Sequence, residues 1–135
     1  MAQIPDLIAA SRNAESMYVE WRQLHRDGMR RVHEQTVPLY QRTRHFRVYA
    51  SNLVAQPNVP LGVIPFGVRR TVWPLEAFYA FDNSQVAVET LTAEINLIAP
   101  GEIGTYLKAF NELSKLAARG PKARACITSA IDSLG

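Results

Sequence analysis

The chain has 135 residues, 47% hydrophobic and 20% charged, with a net charge of +3; this is the composition of a folded domain and excludes a disordered chain. A chain of this size makes one ordinary domain and buries roughly two thirds of its unfolded surface without a staple. The charge is too small for a committed nucleic-acid binder, and the excess lies in residues 1–50, where eight Arg stand against five acids.

Cys126 is the only cysteine, so no intramolecular disulfide forms, and a reducing, cytoplasmic home is expected. The opening "MAQIPDLIAASRN" lacks a basic region followed by a long apolar run, so it is not read as a secretory signal. No window approaches a membrane span, and no membrane partner is expected.

The first expected element is a long amphipathic helix. In "AESMYVEWRQLHRDGMRRVHEQ", Met17, Tyr18, Trp21, Leu24 and Gly28 fall at steps of three and four, with Asn13 as a possible N-cap. Arg22, Arg26 and Arg30 stand four apart on another face. Pro38 is expected to close the segment, since the residue before proline is pushed toward extended geometry.

Strands follow. "HFRVYASNLV" alternates Phe46 and Val48 with Arg47 and Tyr49, as a strand with one covered face does. "VPLGVIPFGV" has the look of a short buried or edge strand, with Val63, Ile64 and Phe66 in the core. Two β-rich runs in "AFYAFDNSQVAVETL" flank Asp82, Asn83 and Ser84, a hairpin turn, and Phe78, Tyr79 and Phe81 are expected core. "AEINLIAP" adds a strand that stops at Pro100.

The chain closes on two helices. Ile103, Tyr106, Leu107, Phe110, Leu113 and Leu116 form one stripe, with Glu102 in the first turn and Lys115 and Arg119 in the last. Gly120 ends that helix and Pro121 opens the next, whose apolar positions are Ala125, Ile127, Ala130, Ile131 and Leu134. The order implies an α+β fold with an N-terminal amphipathic helix, a small antiparallel sheet of about four to five strands and two C-terminal helices. The expected organisation is one domain, 1–135, with a helical arm (1–43), a sheet (44–99) and a helical pair (100–135).

Little here carries chemistry. His25 and His33 are two turns apart on one expected helix, too far to share a metal. Cys126 sits near an apolar stripe, as a buried structural thiol does. Glu76, Glu89 and Glu94 lie in or beside the sheet and would do acid–base work only if they faced each other; alternation more simply sends them to solvent. No phosphate loop or nucleophile elbow is found, and no cofactor or catalytic residue is assigned. Between the core-like runs the pattern breaks at Arg69, Arg70, Trp73 and Glu76. Arg and Trp serve as interface anchors, whereas a charged hairpin end with Trp73 capping the core is the plainer account.

The stretch "PNVPLGVIPFGVRRTVWPLEAFYAFDNSQVAVETLTAEINL" resembles the core of the Scr family of antitoxin-like transcriptional regulators of actinomycetes. "PGEIGTYLKAFNELSKLAARGPKARACITSAIDSLG" is similar to that family's closing helices, and "NAESMYVEWRQLHRDGMRRVHEQTVPLYQRTRHFRVYASNLV" to its opening helix and first strand. The family's usual form places an Xre-type helix-turn-helix before this domain. Here the chain begins almost at the domain. After "FRVYASNLV" it also passes straight to "AQPNVPLG", where the family continues with a Pro-Gly-Leu-Leu-Gln-Thr segment and a helical block.

The resemblance therefore implies an effector or partner-binding half without its DNA reader, with DNA binding weak or absent. A stand-alone regulatory or interaction domain is the first expectation, working as a homodimer through Met17, Tyr18, Trp21 and Leu24. Its partner or ligand surface is expected at Arg69, Arg70, Trp73, Glu76 and Tyr79. The partner would be a small protein or a small-molecule ligand. The alternative is a small-molecule binder or tailoring enzyme of specialised metabolism, recognised by a concave site where Glu76, Arg69 or Tyr79 converge.

Overall fold

Asp82 sits at the tip of the hairpin that organises the sheet, between strands β4 (Phe78–Phe81) and β5 (Gln85–Glu89). Its φ of 50° is the left-handed conformation that Asp tolerates, and Ser84 N–H donates to Phe81 O at 3.1 Å. The hairpin expected at Asp82-Asn83-Ser84 is therefore present. Our computed structural model describes residues 4–13, 18–20, 26, 29–50 and 58–135.

In chain order the other elements are α1 (Ile4–Asn13), β1 (Tyr18–Glu20), α2 (Met29–Arg42), β2 (Phe46–Tyr49), β3 (Gly62–Val63), β6 (Ala93–Leu97), α3 (Pro100–Leu116), β7 (Ala118–Arg119) and α4 (Pro121–Ser133). The fold is α+β. Five strands form an antiparallel sheet in the order β1-β6-β5-β4-β2, and β3 pairs with β7. The chain divides into two compact units, neither of them continuous in sequence. The first comprises Met1–Ser51 and Pro74–Lys108, the second Asn52–Trp73 and Ala109–Gly135.

In the first unit both sheet faces carry buried residues, Phe81 and Ala87 on one and a larger set on the other. Phe78, Ala80, Val86, Val88 and Leu97 alternate onto that second face and are buried, and Tyr106 of α3 meets Phe78 edge-on at 5.1 Å. Helix α3 starts under an acid that is remote in sequence. Asp6 Oδ1 accepts from Gly101 N–H at 2.8 Å, satisfying one of the donors that every helix N-terminus leaves open. Ile103 and Leu113 of the expected stripe are buried, and Tyr106, Leu107, Phe110 and Leu116 are half-buried.

In the second unit Gly62 and Val63 pair with Arg119 and Ala118. Gly62 is required by contact, since a Cβ there would lie 2.9 Å from Ala117 Cβ. Gly120 turns the chain with φ 56° after β7 rather than ending α3, while Pro121 opens α4, as expected.

Several expectations are corrected. Tyr18 is not on a helix: Tyr18–Glu20 is a strand, paired with Ile95, Glu94 and Ala93. The aromatic and β-branched residues of Tyr18 and Val19 suit a ladder beside β6, and that pairing overrides the helical period. Met17, Trp21 and Leu24 lie outside the described residues. Pro38 does not close its helix; α2 runs on to Arg42. The last turn is anchored by Tyr40, whose ring stands 5.2 Å from Phe46 and 5.3 Å from Phe81, and by Thr43 Oγ1 donating to Leu39 O at 2.6 Å.

Strand β2 is an edge strand, and its apolar side, where Phe46 packs on Tyr40 and Phe81, is only partly covered. Phe46 and Val48 are exposed, while Tyr49 stacks on Phe78 at 5.6 Å and Arg47 reaches Asp82 O, because pairing with β4 aligns Tyr49 with the core residue Phe78. Helix α3 ends at Leu116, so Arg119 belongs to β7, where its guanidinium donates to Ser114 O and Oγ. On α4 the buried residue is Ala123, whereas Ala125, Ala130, Ile131 and Leu134 are exposed and Cys126 is half-buried.

Candidate functional site

Pro65 opens a tight turn in the second unit, closed by Val68 N–H donating to Pro65 O at 3.2 Å. Phe66 sits at the tip and is 90% exposed, so it is not core as the apolar run implied. The Pro-Phe-Gly triplet is itself a turn signal, and it overrides the strand pattern there. Val63 and Ile64 are half-buried.

Arg70 folds back over this turn. Its Nη2 donates to Pro65 O at 3.1 Å, and its guanidinium carbon lies 4.0 Å from the centre of the Trp73 ring. Phe66 meets the same ring edge-on, with centroids 6.4 Å apart. Trp73 is 55% exposed, so more than half of its surface faces solvent. Arg70 Nε is buried with no acceptor among the described residues. Phe66, Arg70 and Trp73 thus make a surface platform, two rings and a cation, held by one turn hydrogen bond and a cation–π contact. Arg69 beside it is exposed.

Of the five expected recognition residues, Arg69, Arg70 and Trp73 belong to the second unit, and Glu76 and Tyr79 to the first. Glu76 is exposed before β4. Tyr79 belongs to another set of contacts on the sheet face opposite Phe78. Its hydroxyl donates to Glu89 Oε2 at 3.4 Å, and its ring stacks on Phe46 at 6.1 Å. Burial first, and the Glu89 carboxylate second, hold the Tyr79 hydroxyl pKa above its usual value. Tyr40 is raised in the same way, by burial and then by Glu89 and Glu94.

Glu89 and Glu94 lie directly opposite each other on β5 and β6. Asn96 Nδ2 donates to Glu94 at 3.0 Å, and Gln85 Nε2 donates to Asn96 Oδ1 at 2.8 Å. Like charges opposed across a ladder are mildly destabilising, and these amide and hydroxyl donors offset that. Glu76 does not join the pair.

Asp82 is a structural carboxylate that sequence reasoning took only as a turn residue. It accepts from His45 N–H at 2.6 Å and Arg44 N–H at 3.1 Å, and those backbone donors hold its carboxyl below the usual value. Among the described residues no group of three His, Cys, Asp or Glu side chains converges to hold a metal. A shallow concavity runs along α4, lined by Pro121, Arg124, Ala125, Thr128, Ser129 and Asp132 of that helix alone. It contains none of the five expected residues. Among the described residues no helix is long and apolar enough to cross a membrane.

No protein-family model, no curated protein and no solved structure matches the chain.

Proposed function

We propose that the chain is a regulatory interaction domain, resembling the effector half of Xre-type antitoxin-like regulators, that works by protein contact. One observation carries this reading: Trp73, with Arg70 stacked on it and Phe66 beside it, is displayed at the surface rather than packed. Trp and Arg are the commonest interface anchors because each joins a large contact area to a polar handle. A partner that covers the rings removes apolar surface from water and strengthens the cation–π contact by desolvating it.

A second copy is the partner for a different surface. On α1, Ile4, Leu7 and Ile8 are 74%, 58% and 47% exposed and recur at helical spacing, an apolar stripe suited to a homodimer contact.

The test is a random peptide library displayed on phage and panned against the chain. Binders that hold the wild type and fail on Trp73→Ala, a variant checked for folding by circular dichroism, support the reading. Binders that ignore Trp73→Ala, or none after repeated rounds, overturn it.

A further inference from the structure

Charge divides unevenly between the two units. The second holds six cations, Arg69, Arg70, Lys115, Arg119, Lys122 and Arg124, against two acids, Glu112 and Asp132, a net charge of +4. The first holds the remaining nine cations and ten acids, a net charge of −1. The Arg excess of residues 1–50 is thus cancelled within its own unit by the acids of residues 74–108, and the basic surplus belongs to the unit that carries the platform. Glu112 is bridged to Lys115 at 2.8 Å, and residues 58–73 contain no acid at all. Arg70 has one donor on a carbonyl and its Nε buried without an acceptor, and it forms no ion pair among the described residues.

Two exposed rings bordered by cations are complementary to a segment that carries carboxylates around one large apolar side chain. Building on the interaction role proposed above, we infer that the platform takes an acidic peptide segment of a partner protein. An apolar side chain of that segment packs against Phe66 and Trp73, and its carboxylates pair with Arg69 and Arg70. The exposed Arg69 guanidinium offers two parallel donors to a carboxylate, which gives the contact direction, while Arg70, with Nε buried and Nη2 on Pro65 O, adds mainly its charge. Single-stranded nucleic acid is the other polyanion that cations and rings attract. The geometry favours the peptide. Arg70 already covers one face of Trp73, and Phe66 stands at 67° to it, so the rings offer no run of parallel faces for successive bases.

The experiment is fluorescence anisotropy on the full chain with three labelled probes at about 50 and 300 mM NaCl, on either side of physiological screening. The probes are a short glutamate-rich peptide with a central tryptophan, the same peptide with glutamine in place of glutamate, and oligothymidylate of equal length. The acidic peptide is expected to bind best, about tenfold or more over the glutamine version at low salt, and to weaken as salt rises. Arg69→Gln with Arg70→Gln should weaken it about tenfold, Trp73→Ala by a similar factor or more, and Lys108→Gln in the first unit not at all. Should the double variant fail to fold, Arg69→Gln alone serves, because Arg69 is exposed. Equal binding of the glutamine peptide, lost in Trp73→Ala, would remove the acidic preference and leave the interaction role standing. Tighter binding of oligothymidylate would give the platform to nucleic acid instead. Absence of binding by both peptides would overturn the inference, while the phage panning independently decides the interaction role.

Discussion

The Arg70 guanidinium carbon lies 4.0 Å from the centre of the Trp73 ring, and the same side chain is tied to Pro65 O at 3.1 Å. An exposed cation–π contact stabilises by only about 0.5–1 kcal/mol. Its larger consequence is to fix two side chains that would otherwise lose rotamer freedom when a partner binds. The surface is therefore arranged before any partner arrives.

Asp82 gives the chain an acid-sensitive contact. The backbone N–H groups of His45 and Arg44 lower its pKa in the folded state, so the folded carboxyl holds its proton less tightly than the unfolded one. The contribution is fully present above the ordinary value of 3.8 and is lost as pH falls through the lowered folded value. Asp82→Asn keeps a residue that tolerates φ 50° but removes the charge. Its urea midpoint should lie below that of the wild type at neutral pH, and the gap should begin to close near pH 3.8. A gap that is constant with pH would mean that the carboxylate charge plays no part.

Gly62→Ala should cost about 1–3 kcal/mol in urea unfolding, as overpacked positions do, because the new methyl would lie 2.9 Å from Ala117 Cβ. Neither group is the free end of a flexible side chain, so the β3–β7 pair must shift. Unchanged stability would show that the two segments are not held this closely.

Light scattering at micromolar concentration should report twice the chain mass. Leu7→Asp with Ile8→Asp should return a folded monomer, since both side chains lie on the exposed α1 stripe. A wild-type monomer that stays folded on dilution would remove the homodimer from the account.

Local signals made much of this fold legible. The β4–β5 hairpin rests on its turn residues, α3 on its apolar stripe and the start of α4 on Pro121, all short-range signals. What escaped depends on partners remote in the chain. Tyr18 carries a helical period but pairs with Ile95, and Asp6 supplies a cap 95 residues away at Gly101. Val48 alternates like a core residue, yet it lies on β2, the edge strand of the sheet, and is 41% exposed beside its partner Tyr79. At the candidate site the sequence marked Arg69, Arg70 and Trp73 as a break in pattern. It placed Phe66 in the core, because an apolar residue beside Ile64 looks the same in a strand as at a turn tip. The basic surplus of the second unit was invisible in chain order, because its two segments lie on either side of residues 74–108.

The most direct test of the platform is the dissociation constant of a panned peptide for wild type and for Trp73→Ala, with the melting temperature of each protein measured alongside. A surface anchor should lose about 30-fold or more in affinity while the melting temperature moves by no more than a few degrees. Unchanged affinity, or a fall in melting temperature of the size that a loss of about 3–5 kcal/mol produces, would make Trp73 a packing residue and contradict the account.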